Sequence, residues 1–368
     1  MAGTGAPSGG LAKLYINRES SPGGPSGLSA TTGLRLYFDS FQLRRPVRTE
    51  RIAEIRGSNT YDEAALYAGP SEVSGTLSFP LRYSPVHFCL LSWAMGLGAS
   101  TAGTPNVHLA TTDDRLESCS LYHIFPYGID ATQLYAQNLL TGTKPTKLTL
   151  SGKTSGAVMA SIDFAAQQCA YAETETTTVP PDSSGGLSPY NGPLVLWNQV
   201  TPASCVIFFE GGASTAMNAT EWEITVENPL EQTVTIGNTL QQSVPARSAP
   251  RNVTGKLTFE QDIVWTEQAL KWGWSGTRPA SIVWLYDDPA STGVTNKAWT
   301  FTVSNAYITE PGGGTDGMGP QRQTIAFKAI YKAGGSALFP EPFRAQVTDP
   351  LYTPSIGAYT KYSDILTP

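Results

Sequence analysis

The sequence predicts a mainly β chain built as two tandem β-sandwich or barrel modules, each with one α-helix on its flank. Three observations carry this: a strand-like segment recurs 180 residues further on (255 minus 75), its neighbours recur in the same order, and apolar residues alternate within most of the recurring pieces. Glu72-Val73-Ser74-Gly75-Thr76-Leu77-Ser78-Phe79 matches Asn252-Val253-Thr254-Gly255-Lys256-Leu257-Thr258-Phe259, and the same offset carries Leu90 onto Leu270 and Gly96 onto Gly276. Ile162-x-Phe164-x-Ala166 corresponds to Ile325-x-Phe327-x-Ala329, and Leu34-x-Leu36-x-Phe38 to Trp222-x-Ile224-x-Val226. A period of two is that of a strand with one buried face.

Each copy reads as the same succession of elements. An alternating strand opens it, Leu34 to Asp39 or Glu221 to Glu227, followed by a long polar loop, Gln42 to Ser71 or Glu231 to Arg251. The Val-Ser/Thr-Gly strand comes next; a glycine inside a strand marks a bulge or a close approach. A short amphipathic helix follows, Pro85 to Met95 or Ile263 to Trp274, with glycine at its natural stop. Strands near Leu116–Phe125 and Ser281–Tyr286, then strands ending at Gln167 and Lys332, complete each copy. One helix among many strands places the helix on the side of a sandwich or barrel.

These readings divide the chain into an N-terminal extension (1–30), a first module (31–170), a linker or insertion (171–192), a second module (193–334) and a C-terminal extended arm (335–368). The extension is rich in Gly, Pro and Ser, although Leu11 to Ile16 could add a strand. The arm carries Phe339, Phe343, Leu351, Tyr352, Tyr359 and Tyr362 among prolines. It has no core of its own yet is too aromatic for a solvated tail, so docking on a neighbouring subunit is expected.

Composition narrows the function. Hydrophobic residues make up 40% of the 368, enough for a packed core, while charged residues are only 15%, against about 25% in an average globular protein. Such a neutral polar surface suits a subunit covered by its neighbours. A net charge of −6 argues against tight wrapping of nucleic acid, which needs clustered Lys and Arg. Cys89, Cys119, Cys169 and Cys205 are widely spaced and read as buried free thiols. The first ten residues have neither a basic nor an apolar signal region, and Val86 to Ala99 is too short to span a bilayer, so synthesis in a reducing cytoplasm is expected.

No catalytic constellation emerges, and no cofactor or metal is expected. His87, His108 and His123 lack a carboxylate or cysteine at useful spacing. Ser151-Gly152-Lys153-Thr154 ends like a phosphate-binding loop, but position 147 is lysine where that loop needs glycine. Asp113-Asp114 and Asp287-Asp288 read as solvated hairpin ends, and Gly312 to Gly319 lacks the periodic aspartates of a calcium repeat. The first long loop is more informative. Arg44, Arg45, Arg48, Arg51 and Arg56 alternate there with Glu50, Glu54, Asp62 and Glu63, whereas the second loop keeps only Arg247 and Arg251. Such a pattern is either a solvated face or a set of intersubunit ion pairs.

In sequence order, Arg51-Ile-Ala-Glu-Ile-Arg-Gly57 and Ala68 to Phe79 resemble the first half of the longer phage tail tube proteins, while Ala219-Thr-Glu-Trp-Glu-Ile-Thr-Val-Glu-Asn-Pro-Leu230, Arg251 to Glu260 and Ile325 to Tyr331 resemble the second. The likeness spans roughly 33–333. It implies a structural, non-enzymatic subunit of the virion tail, made in the host bacterium, whose strands join those of neighbours into an inner barrel. Rings of three two-module chains, pseudo-hexamers, follow from hexameric single-module relatives, with six-chain rings as the alternative. Implied partners are other copies in ring and stack, a tip or baseplate initiator, the tape measure and tail terminator proteins, and a sheath where the tail contracts. DNA would pass through the lumen without specific binding. In that setting Arg44, Arg45, Arg48, Arg51, Glu54, Arg56, Arg247 and Arg251 are expected at inter-ring or intersubunit contacts. Glu221, Glu223 and Glu227, on alternate strand positions, are expected to face the channel. A β-rich adhesion or decoration module, binding a host surface or glycan as a monomer, is the competing reading; a tube from a contractile injection machine is a third.

Overall fold

A computed structural model describes residues 12–19, 21–23, 34–45, 49–51, 66–68, 72–101, 106–112, 116–126, 135–174, 193–196, 200–209, 214–216, 219–234, 242–260, 279–287, 297–310, 322–331 and 341–349. Among these the chain is β, apart from short connections and one helix.

Eight strands make one continuous antiparallel inner sheet. Their spatial order is Ser40–Arg44, Val73–Pro80, Met159–Ala166, the second part of Tyr135–Lys153, Ala219–Glu227, Asn252–Glu260, Arg322–Ala329 and the end of Ala298–Glu310. The alternation read in the sequence sets their two faces: Val73, Leu77, Phe79, Ile162, Phe164, Leu257, Ile325 and Phe327 are buried, while the residues between them face the other way.

Register decides which residues correspond between the two halves. Gly75 lies opposite Phe164, and Gly255 opposite Phe327, with no register shift at either glycine. Of the two alternatives, bulge or close approach, the close approach is the one present: a Cβ at Gly75 would overlap the Phe164 ring and the Gln42 carbonyl oxygen. On the other flank Gly75 faces Leu43, and Gly255 faces Ile224. Phe41-x-Leu43, and not Leu34-x-Leu36-x-Phe38, thus occupies the place of Trp222-x-Ile224. Leu34–Leu36 pairs instead with Lys13–Arg18. Alternating apolar triplets look alike in sequence, and only pairing to a glycine tells them apart.

The 19-residue strand Tyr135–Lys153 serves two layers. Its first part pairs with Cys119–Pro126 and Gln168–Thr174, and its last part belongs to the inner sheet. The chain turns between them at Gly142, φ 63°, where the buried Glu19 carboxylate accepts from Gly142 N (2.6 Å), Ser120 Oγ (2.7 Å) and Gly23 N (2.8 Å). Three donors replace the water that this acid gives up. Ala298–Glu310 turns in the same way at Asn305, φ 53°, 163 residues on (305 minus 142). Asn is one of the few side chains that tolerate this left-handed backbone.

The outer strands repeat too. Leu34–Leu36, Lys13–Arg18, Cys119–Pro126, Tyr135–Lys153 and Gln168–Thr174 are neighbours in that order. Ser214–Ala216, Val200–Phe209, Pro279–Asp287, Ala298–Glu310 and Phe343–Asp349 follow the same order. Three stretches read as extension, linker and arm therefore contribute strands: Lys13–Arg18, Gln168–Thr174 and Phe343–Asp349. The last differs from the expected docking on a neighbouring subunit. Phe343, Ala345 and Val347 are buried within this chain, between Ala298–Glu310 and Asn106–Thr112, because they alternate as a core-facing strand.

The helix has the bounds read from its end signals, Pro85–Met95. The Ser84 side chain accepts from Val86 N, proline opens the first turn, and Gly96 at φ 105° ends it. It is not amphipathic. Every described side chain from Val86 to Met95 is buried, because Gly96–Thr101, Asn106–Thr112, Tyr135–Lys153 and Phe343–Asp349 surround it. Its expected counterpart, 263–274, lies outside the described residues.

Three cysteines, Cys89, Cys119 and Cys169, are buried free thiols, and burial raises the pKa of each. His87 is buried, and its Nδ1 accepts from Arg82 N at 2.9 Å. Burial first, then the Arg82 charge, lowers its pKa to about 3; burial lowers that of His123 to about 4. Both histidines are neutral in the native chain and protonate near their usual 6.5 once unfolded. The unfolded state therefore takes up protons first as the pH falls. Stability is expected to be full above pH 6.5 and to decline by up to about 1.4 kcal/mol per pH unit per histidine until the folded pKa is reached. Chemical denaturation at several pH values checks this, and His87→Gln should flatten the slope.

Candidate functional site

The inner sheet has one apolar and one polar face. The apolar face packs on the outer strands: ring to ring, Phe41 lies 4.6 Å from His123 and Trp222 lies 5.4 Å from Trp284. Trp222 Nε1 also donates to Tyr286 Oη at 2.5 Å. The polar face carries hydroxyls and charges in rows across the strands. Thr76 Oγ1 donates to Asp163 at 2.7 Å, Ser78 and Ser161 hydroxyls lie 3.1 Å apart, and those of Thr258 and Thr324 lie 2.9 Å apart.

Glu221 and Glu223 are exposed on this face and Glu227 is half-buried on it, as their alternate spacing predicts. What the spacing could not give is their company. Lys147 stands in register between Asp163 and Glu227, Lys153 faces Glu221, and Lys256 faces Glu223. The carboxylates thus sit among bases, and the face is a chequered polar surface rather than an acidic one. Cross-strand partners depend on register, which the sequence does not display.

The described loop arginines fall into three groups. Arg44 and Arg45 are exposed where the Ser40–Arg44 strand ends. Arg51 lies in a small hairpin, Thr49–Arg51 with Leu66–Ala68, and Arg247 in its counterpart, Leu230–Glu231 with Ala246–Arg247. Arg48, Glu54 and Arg56 lie outside the described residues. Arg251 points into the chain, where its Nε donates to Asn228 Oδ1 at 2.6 Å.

Nothing in the sequence around Asn228, the first residue of Asn-Pro-Leu, signals an interaction site, because its partners are distant in the chain. It is buried at the junction of the two halves. Its Nδ2 donates to Ala94 O (2.9 Å), in the last turn of the helix, and to Pro145 O (3.2 Å), where Tyr135–Lys153 bulges. Helix ends leave carbonyls without intrahelical partners, and here a side chain from the other half supplies one. Trp299 Nε1, donating to Arg82 O at 3.0 Å, makes a second such crossing.

Among the described residues no group of His, Cys, Asp and Glu could hold a metal ion. Ser151–Lys153 is strand, with Gly152 against the Trp222 indole, so the phosphate-loop likeness has no structural counterpart. What the arrangement offers is two strand edges and a polar face.

A family model described as phage tail tube protein matches residues 9–329. The chain belongs to that family. The match runs through both halves of the inner sheet and includes Lys13–Arg18. No curated protein matches the chain. The tail tube family is structural, which accords with a molecule whose notable groups are edges and faces, and it makes this chain a component of the virion tail.

Proposed function

We propose that this tail tube protein forms closed rings of three chains that stack into a tube, with the polar face lining a channel through which DNA passes. The observation that carries the proposal is the inner sheet's repeated order, four strands followed by four equivalents, joined where Lys147–Lys153 meets Glu221–Glu227. In this reading residues 13–174 and 200–349 are two tandem modules, each filling one of six places around the ring. Three chains of eight strands place 24 strands around it. At about 4.8 Å per strand this gives a circumference of about 115 Å and a diameter of about 37 Å, which strand tilt widens. Six chains would double that, leaving a channel far wider than a duplex needs.

The channel works by having little affinity. Each of Asp163, Glu221, Glu223 and Glu227 has a lysine directly across from it, so these strands present acids and bases in opposition rather than a run of bases for phosphates to bind. Hydroxyl rows between the charges keep it wet. The long-loop residues Arg44, Arg45, Arg48, Arg51, Glu54, Arg56 and Arg247 are assigned to contacts between subunits and rings. Residues 351–368 of the arm, outside the described residues, are assigned to a neighbouring subunit, and the tip initiator, tape measure and terminator to the ends and interior of the tube.

Negative-stain electron microscopy of concentrated protein, with light scattering for mass, tests the reading. Rings or tubes with a central hole and a ring mass of three chains are expected. A chain that stays monomeric even with tail-tip components added would overturn it in favour of a surface-binding module.

A further inference from the structure

Resting on the tube reading, we infer that the seam between chains is a charge-inverted copy of the seam within the chain, and that this inversion makes the two halves alternate around the ring.

The internal seam is a worked example of how one half joins the next. Its first strand ends in bases and its second in acids: Lys147 pairs with Glu227 and Lys153 with Glu221. The repeated registers locate the same positions on the two outer edges. Pro145 faces Phe164 and Ile308 faces Phe327, and both strands then bulge at the same step, before Lys147 and before Glu310. Glu310 therefore stands where Lys147 stands. At the other edge, Leu43 and Ile224 face the two equivalent glycines, so Ser40 and Gln42 take the places of Glu221 and Glu223, and Arg44 that of Thr225.

Among the described residues both edges are open: Ser40–Arg44 pairs only with Val73–Pro80, and no strand lies on the outer side of Ile308–Glu310. Arg44, Arg45 and Glu310 are exposed. Setting a second copy's Ser40–Arg44 strand against Glu310 in the internal seam's register brings Arg44 diagonally across from Glu310 on the polar face. Diagonal neighbours of this kind lie about 7–8 Å apart, within reach of long side chains. The polarity is reversed: inside the chain a basic edge meets an acidic one, and between chains an acidic edge meets a basic one.

The reversal penalises both wrong joints that could form were the internal seam to open. A first half joined to another first half would set Lys147 diagonally across from Arg44. A second half joined to another second half would set Glu310 directly across from Glu227. Like charges across a strand pair disfavour the joint, and repulsion of the wrong partner is a common source of specificity. Only alternation satisfies every seam, which suits a chain whose two halves have the same fold and could otherwise exchange places.

The test is ring assembly of the full chain, followed by light scattering and electron microscopy, with circular dichroism to confirm folding. Glu310→Lys should leave the monomer folded and lower the ring fraction at least about tenfold, since it sets like charges together at each interchain seam. Adding Arg44→Glu to the same chain should restore rings. Undiminished assembly of Glu310→Lys, or a folded double variant that stays as defective as the single one, would overturn the seam while wild-type rings leave the tube reading intact. Absence of rings from the wild-type chain would instead remove the tube reading, and the seam with it.

Discussion

Replacing Asn228 with alanine is expected to destabilise the chain by about 3 kcal/mol, read as a shift of the denaturant midpoint. The amide is buried and holds three partners: it donates to Ala94 O and Pro145 O and accepts from Arg251 Nε. Alanine removes all three bonds and leaves a guanidinium donor facing an apolar methyl. The loss of a charged group's partner in a buried place costs more than an exposed bond would return. Asn228→Asp keeps the acceptor for Arg251 but turns a carboxylate oxygen towards two carbonyls, so it should not restore stability. Because the amide crosses between the halves, the unfolding transition is also expected to broaden or split as they uncouple. A single sharp transition at the wild-type midpoint would show that the junction is held elsewhere.

Gly255→Ala should be as damaging, about 3 kcal/mol or more, for a different reason. The methyl group would overlap the buried Phe327 ring and come within 2.7 Å of the carbonyl oxygen of Glu223, on the paired strand. Adding Phe327→Leu should return part of the loss, because it removes the ring and leaves the backbone contact. Gly75→Ala should behave in parallel, with Phe164 in the role of Phe327. Gly156→Ala is the control: nothing lies within 4 Å of its Cβ position, and only its φ of +100° resists the change, at a cost of about 1 kcal/mol. Equal midpoints for Gly255→Ala and Gly156→Ala would show that crowding by the ring does not matter.

The legible parts of this fold were those with local causes. Gly96 ends the helix in the left-handed backbone that glycine favours, so its stop could be read directly. The Gly75 and Phe164 segments could be matched to Gly255 and Phe327 because both members of each pair recur. Glu221 and Glu223 could be put on one face because alternation alone decides faces. What depended on distant partners was lost. Lys147, Lys153 and Lys256 became part of the site only through register, and Leu34–Leu36 was matched to the wrong strand because nothing local separates it from Phe41-x-Leu43. Phe343–Asp349 alternates clearly, yet surrounding prolines and aromatic residues made it read as an arm.

That strand has a consequence for timing. Asn106–Thr112 pairs with Phe343–Asp349, so Asn106 meets Asp349 across 243 residues (349 minus 106). On the ribosome, the hairpin that begins at Gly96 must wait, one backbone edge unsatisfied, while everything in between is synthesised. Such distant pairing slows folding. It also means that a polypeptide released early keeps that edge bare and the helix beneath it partly uncovered. Ring-competent protein would then come only from translation carried through Asp349, an inspection of completeness performed by the last of the described strands to emerge.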